Sequence, residues 1–317
     1  MGKLGFVPAS EVVKMTGLCD DILLYSLRSQ NDGDSLSTPS LIFKLRIRKF
    51  ECLFYLPTPQ RTTLQIWRDH IFFKLCGIPA IVGPRKASNC YPRDGTGRLK
   101  PVLREGDRLC TILSNAGIPV SRELGPESRA LIPVDPEVVT QMDNYLQING
   151  LKSDHILIAI CPGSKMPAKM WPLERFIEVG KQLLSRFNVM PIVLGSPSER
   201  GLGQQLVETW RVGINGAGTF TLRQAAECLR RCALYIGNDT GTMHLAAAVS
   251  TPCLAIFSGR DSPGRWEPSG DGHIVLRTWT ECEGCMRKEC PVSGHPCLSN
   301  TSVGKVVESA SRILADR

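Results

Sequence analysis

No stretch of the 317-residue chain approaches the ~20 consecutive apolar residues of a membrane-spanning helix, which excludes a polytopic membrane protein. Residues Met1 to Ser10 lack the basic start, apolar middle and small-residue end of a secretion signal, so the expected compartment is the cytosol. Internal repeats and low-complexity tracts are absent. Aromatic residues make up only 6%, and basic residues do not cluster on one face. The chain therefore offers no stacking platform for bases, and nucleic acid is not an expected partner. A Gly-Lys-Ser/Thr phosphate loop is also missing. What is present is 42% apolar and 21% charged residues, at a mean hydropathy of -0.06. These are values of a soluble globular chain long enough for two domains. The net charge of +8 is spread evenly along the chain, which suits anionic small ligands or a membrane surface. Thirteen cysteines are many for a cytosolic protein.

The two halves read differently. In the first, Asp21–Tyr25 reads as a strand, Ser40–Arg48 as a helix and Cys52–Leu56 as a strand ending at Pro57. Thr62–Leu75 reads as a helix closed by Gly77, Ala80–Gly83 as a short strand, and residues 84–101 as a surface excursion. Pro136–Ile148 is a helix leading to a boundary at Gly150. From 155 onward the pattern sharpens. The run His155–Ile160 is continuously apolar, as in a strand buried on both faces. Helices over Leu173–Phe187, Ser198–Arg211, Thr221–Arg231 and Gly241–Val249 alternate with strands over Val189–Leu194, Ala233–Gly237 and Cys253–Phe257. Thr221 and Gln224 form a capping-box pattern. This alternation predicts a parallel sheet with helices on both faces, and ligands in such sheets sit outside the carboxyl ends of the strands. The loops after 160, 194, 237 and 257 are therefore where chemistry is expected.

Three of those loops carry suitable residues. In Gly237-Asn-Asp-Thr-Gly-Thr-Met-His244 a strand ends and a small-residue helix begins. A helix start presents free N–H groups and about half a positive charge. Asp239 or Thr240 can cap it, Gly241 lets a phosphate come close, and His244 shares a face with Thr240. The plainer alternative is a capped helix with a packed histidine. Pro162-Gly-Ser-Lys-Met-Pro-Ala-Lys-Met-Trp-Pro172 supplies Ser164, Lys165 and Lys169, cations suited to phosphate or simply solvated. Trp171-Pro172 reads as packing at the next helix start. Glu199, in Gly195-Ser-Pro-Ser-Glu-Arg200, is placed to accept from ribose hydroxyls, or is a helix-start carboxylate favoured by the dipole.

Taken together, residues 155–277 closely resemble the C-terminal half of glycosyltransferase family 9, the heptosyltransferases. The resemblance rests on PGSKMPAKMWP (162–172), PIVLGSPSER (191–200), YIGNDTGTMHLAAAVSTP (235–252) and AIFSGRDSPGRWEP (255–268). It continues more weakly through 41–83. It implies an α/β fold of GT-B type, two Rossmann-like domains facing a cleft. Residues 1–149 would form the acceptor-side domain and 150–317 the domain binding the nucleotide-sugar donor. The family's donor is typically ADP-heptose and its acceptor a lipid-linked, often phosphorylated saccharide of the lipopolysaccharide core. By position, Ser164 and Lys169 would touch the diphosphate, and Glu199 the ribose. Asp239, Thr240, Gly241 and His244 would bind diphosphate and sugar. The implied reaction is inverting transfer with no required cofactor, at the cytoplasmic face of the inner membrane. A sugar-nucleotide epimerase of the same fold and an inactive donor-binding remnant are the alternatives.

The family's base is an Asp in a Gly-Asp motif after the first strand. The local match is Gly33-Asp34, but Ser26–Asp32 before it is polar, and Asp34 lies close to the strand at 52. A βαβ unit needs about 30 residues or more. The expectation is that the first strand, its base and the following helix are missing, leaving the N-terminal domain incomplete.

Cys282, Cys285, Cys290 and Cys297 fall within 16 positions, a spacing that can surround a structural zinc or leave reduced thiols. Other cysteines, Cys52, Cys76 and Cys253 among them, sit in apolar runs as small buried residues do. Lys44, Arg46, Arg48 and Lys49 form the densest basic stretch, either a solvated helix face or a patch facing a membrane.

Overall fold

The structure, a computed structural model, describes residues 20–23, 38–89, 91–120 and 132–315. They divide into two compact units. One holds Arg93–Pro101 and the described residues from 132 onward; the other holds the described residues before 93 and those of 102–120.

The larger unit begins with α4 (Pro136–Ile148), capped by the Asp135 carboxylate. A doubly wound array follows: β3 (Ile156–Cys161), α5 (Leu173–Arg186), β4 (Val189–Val193), α6 (Arg200–Trp210), β5 (Ile214–Asn215), α7 (Leu222–Arg231), β6 (Leu234–Asn238), α8 (Gly241–Ala248), β7 (Cys253–Phe257) and β8 (Ile274–Arg277). A short helix α9 (Pro296–Ser299) and α10 (Val303–Ala315) close it. The six strands are all parallel, in the order β5-β4-β3-β6-β7-β8. The central strands β3, β4, β6 and β7 are buried on both faces because they are apolar almost throughout, and alternate residues serve opposite layers. Leu157, Ala159 and Cys161 pack with Met142 and Leu146 of α4, Leu229 of α7 and Met243 of α8. Ile158 and Ile160 pack with Phe176 and Leu183 of α5, Leu206 and Trp210 of α6, and Val306 and Ala310 of α10. Gly180 leaves room for Trp210 of α6 against α5, since a Cβ there would lie 2.2 Å from the Trp210 ring.

The elements expected after 155 are all present, within two residues at most ends. The capping box of Thr221 and Gln224 forms as read. The strands β5 and β8 and helices α9 and α10 were not anticipated. The β5 strand has only two residues and no periodicity, whereas α10 carries a clear apolar stripe (Val306, Val307, Ala310, Leu314).

The smaller unit contains α1 (Thr38–Arg48), β1 (Cys52–Phe54), α2 (Thr63–Leu75), β2 (Ala80–Val82) and α3 (Glu105–Asn115). The strands β1 and β2 pair in parallel. Helix α2 starts at a Thr62–Gln65 capping box, and α1 packs on it through Leu41, Leu45, Cys76, Phe72 and Phe73. Two readings are corrected. The described part of Asp21–Tyr25, residues 21–23, is not a strand. Cys52 is exposed, unlike buried Cys76 and Cys253. Most described residues of 84–101 are exposed, as a surface excursion should be, and Arg93–Pro101 belongs to the larger unit. There Leu99 is buried, its N–H donates to the Glu283 carboxylate, Arg93 Nη2 donates to Glu283 O at 2.8 Å, and Arg98 lies 4.5 Å over the Trp279 ring.

Candidate functional site

Sequence order reverses between β3 and β6: β3 is followed by β4 on one side, while β6 returns to its other side. Such a switch point leaves a crevice at the carboxyl ends of the two strands. The loop 162–172 leaves β3 there, and α8 begins there after β6.

One buried amide fixes the loop. Asn238, the last residue of β6, is fully buried. Its Nδ2 donates to Pro162 O at 2.7 Å and Gly163 O at 3.3 Å, and its Oδ1 accepts from Trp171 N at 3.0 Å. Both ends of the loop are thus tied to one side chain. Trp171, also buried, donates from Nε1 to Thr301 O at 3.1 Å and packs edge-on against Phe176. That is the structural role expected of it. Between the ties, Pro167–Lys169 makes a single 3-10 turn. It delivers Lys169 Nζ to 2.6 Å from Asp239 Oδ2, with both side chains largely buried. Ser164 Oγ, in the same loop, accepts from Met166 N at 3.3 Å.

Thr240, not Asp239, is the N-cap of α8, and its side chain makes no capping bond to the helix. Its Oγ1 instead lies 3.4 Å from Asn238 O and from the Tyr235 hydroxyl. The first-turn N–H groups therefore have no side-chain acceptor, and the positive end of the helix dipole is left for an anion. A Cβ on Gly241 would meet no atom within 4 Å, so the space before this helix start is open. His244 stands exposed on the first turn. Surrounding protein lowers its pKa by desolvation; the Asp239 carboxylate opposes this and the Lys169 ammonium adds to it. The imidazole is thus neutral at pH 7 and has room to gain a proton. An anion bound between Lys169 and His244 will raise that pKa and take up protons on binding. Affinity for a nucleotide diphosphate is expected to rise as pH falls from 8 to 6, and calorimetry on His244→Asn should show the trend flattened.

Glu199 fulfils the helix-start reading. Its Oε2 accepts from Ser196 N at 2.6 Å and Ser196 Oγ at 2.8 Å. The same geometry lays its carboxylate across the β3 loop, since a Cβ on Gly163 would lie 1.8 Å from Glu199 Oε1. Gly163→Ala should therefore expel the Glu199 carboxylate from its seat. The far end of that side chain can swing away, so the cost in stability should stay within about 1 kcal/mol. Nucleotide affinity is expected to fall about as far as in Glu199→Gln, measurable by calorimetry beside a thermal melt.

The structure brings Lys169, Asp239 and His244 together, with Ser164 on the same loop as Lys169 and Glu199 against the start of that loop. Asp34 lies outside the described residues. Cys282, Cys285 and Cys290 lie near enough to Cys297 to act on it electrostatically. Among the described residues, no group of three or more His, Cys, Asp or Glu side chains could hold a metal ion. Cys297 is built into the core beside Ile256 and Leu298, and burial raises its thiol pKa away from the thiolate a metal needs. Cys282 and Cys285 are exposed, and Cys290 Sγ lies 3.7 Å from Val292 O. Two features escaped the sequence reading. One is Asn238, whose signal was a lone amide at the end of an apolar strand. The other is the filling of the loop after β7, itself an expected place for chemistry: Arg260, Asp261, Ser262 and Arg265 are all buried there. Asp261 Oδ2 accepts from Trp266 Nε1 at 2.7 Å, and Arg260 donates to the carbonyls of Met286 and Arg287, each at 2.9 Å. A run of charged and hydroxyl residues directly after a buried strand was the available signal.

A parallel sheet with helices on both faces and a reversal of strand order defines the doubly wound class of α/β proteins. Within that class, the profile of glycosyltransferase family 9 (heptosyltransferase) matches residues 126–295, and the chain belongs to this family. It is 28% identical over 174 residues to lipopolysaccharide heptosyltransferase 2 of Salmonella typhimurium, covering 52% of this chain and 49% of that protein. It is 28% identical over 195 residues to lipooligosaccharide heptosyltransferase 2 of Haemophilus ducreyi, 57% of this chain and 56% of that one. The chain spans about half the length of the curated relatives it matches. Among solved structures, ADP-heptose lps heptosyltransferase II of E. coli superposes with a TM-score of 0.59 at 21% identity, over 88% of this chain and 81% of that one. A glycosyl transferase of family 9 from Veillonella parvula gives a TM-score of 0.66 at 23% identity, over 89% and 79%. These likenesses establish the α/β fold of GT-B type.

Proposed function

We propose that the chain is a glycosyltransferase that moves a heptose or related sugar from an ADP-sugar to a lipopolysaccharide-core or related glycan acceptor. The observation that carries this reading is the Lys169–Asp239 pair beside the uncapped start of α8 at the sheet's switch point. The donor diphosphate lies against the first-turn N–H groups of α8, within reach of Ser164, Lys169, Thr240 and His244. The Gly241 backbone lets it approach, and Glu199 accepts from ribose hydroxyls. Asp239 holds Lys169 in place and accepts from a sugar hydroxyl. Residues 150–317 bind donor, and residues 1–149 contribute to the acceptor side.

In the reaction, an acceptor hydroxyl oxygen attacks the anomeric carbon while the bond from that carbon to the diphosphate breaks. A carboxylate takes the hydroxyl proton; Asp34 is the candidate the sequence offers. The configuration inverts in this single displacement. Charge gathering on the leaving diphosphate is met by Lys169, His244 and the helix start rather than by a required metal. A lipid-linked acceptor brings the work to the cytoplasmic face of the inner membrane.

The test is an assay of the full chain with ADP-heptose and a core acceptor, with and without a chelator, reading the product by mass spectrometry and its anomeric configuration by NMR. An acceptor-dependent product of inverted configuration, insensitive to chelator, is the expected result. A product from donor alone would identify an epimerase, and donor binding without product would identify a binding protein.

A further inference from the structure

The turn that carries Lys169 is held at a third point besides its two ties to Asn238. Ala168, the buried middle residue of Pro167–Lys169, donates from its backbone N–H to Lys288 O at 3.0 Å. The His295 ring hydrogen-bonds to the backbone of the same residue. Both contacts come from the cysteine-rich segment, 120 or more positions away in the chain. That segment can hold Ala168 only if it is itself fixed, and residues 283–295 contain no helix or strand to fix them. Met286 stands in the left-handed region at φ 53°. A non-glycine residue keeps that conformation only where its surroundings impose it. Arg260 supplies the hold. Its side chain, buried in the loop after β7, donates from Nε to Arg287 O and from Nη2 to Met286 O, each at 2.9 Å. In return Met286 N donates to Arg260 O at 3.1 Å, and Gly284 N to Gly259 O at 2.7 Å. A guanidinium presents its N–H groups as a rigid fork and so orients two carbonyls at once. The next carbonyl along the chain is that of Lys288.

We propose that Arg260 is a positioning residue of the site: through residues 286–288 it sets the turn Pro167–Lys169, and with it the place of the Lys169 ammonium. The bonds run from Arg260 to Arg287 O, along the backbone to Lys288 O and across to Ala168 N. The residue after Ala168 then places its Nζ 2.6 Å from Asp239 Oδ2. Arg260 acts through this chain of bonds and not by touching a ligand. Its consequence for binding rests on Lys169 being the donor-diphosphate cation of the proposed function. A binding group moved by about 1 Å can lose most of its effect, so loosening the brace costs affinity although every group at the site is still present.

The test pairs calorimetric titration of the full chain with ADP and hydrogen exchange, read by mass spectrometry, over residues 163–171. Arg260→Met keeps an unbranched side chain in the buried position and removes both donors. It should speed exchange in that stretch at least about fivefold while the strand Ile156–Cys161 keeps its protection. ADP affinity should fall about tenfold. Arg260→Lys, which keeps the charge and one donor, should recover part of both, and is read on the same criteria if Arg260→Met does not fold. On a Lys169→Ala background, Arg260→Met should change ADP affinity less than about twofold, because the group it positions is gone. Unchanged exchange over 163–171 overturns the proposal. So does an affinity loss that adds in full to that of Lys169→Ala, since a merely structural role would add. If wild type fails to bind ADP, the nucleotide reading of the site falls, and exchange over 163–171 still decides whether Arg260 holds the turn.

Discussion

Replacing Lys169 with alanine is expected to weaken binding of ADP or an ADP-sugar about 100-fold, equivalent to about 2.7 kcal/mol. Loss of one cation is only part of this. Lys169 lies 2.6 Å from the largely buried Asp239 carboxylate, just before the start of α8. Without the ammonium, that carboxylate stands uncompensated where the diphosphate must come, and it repels the ligand as well as losing its partner. A double variant separates the two effects. Lys169→Ala with Asp239→Asn removes the repelling charge and should recover about tenfold of the affinity. Calorimetry on the two single variants and the double variant measures the coupling. A double variant no better than Lys169→Ala would mean that Asp239 does not act on the ligand through charge, and the assignment of the diphosphate to this position would fall.

The second large effect is on stability. Asn238→Asp changes one NH2 group to oxygen with almost no change in shape. The Oδ1 that accepts from Trp171 N is kept, while the group that donates to Pro162 O and Gly163 O becomes an acceptor facing two carbonyls. The site is fully buried, so the new carboxylate has neither water nor a donor there. A loss of about 3 kcal/mol at pH 8 is expected from urea unfolding of the larger unit. The pH dependence gives a second reading. Burial against carbonyls raises the folded pKa of the new carboxyl above its unfolded value of about 3.9. A protonated carboxyl can donate to Pro162 O, so the penalty should be smaller at pH 5 than at pH 8. Stability relative to wild type falls as pH rises toward the folded pKa, by up to about 1.4 kcal/mol per unit. A pH-independent difference would show that the loop relaxes away from residue 238. Asn238→Ala should cost a similar amount with no such slope.

Much of the larger unit was readable because its information is local. The unbroken apolar runs at 156–161 and 253–257 declared strands buried on both faces, and Thr221 with Gln224 announced its own helix start. Of the loops named from the strands, those after β3 and β6 meet at the switch point. The smaller unit was less legible. Its strands have three residues each and are partly exposed, too short to show a period. Helix α3 buries no residue that would mark a face. One of the four clustered cysteines, Cys297, is drawn into the core, which sequence spacing does not report.

By itself, then, the sequence determined the alternating strands and helices, the parallel sheet and the family, since burial pattern and motif are written along the chain. Tertiary structure decided which side chains meet. Lys169 reaches Asp239 across 70 positions only because β3 and β6 pair, and Asn238 and Trp171 lock their loop through bonds spanning 67 and 130 positions. It also decided that Arg93–Pro101 joins the larger unit and that α2 turns an apolar face outward. Such contacts form between segments far apart in the chain, where neither helical nor strand periodicity carries any record of the partner.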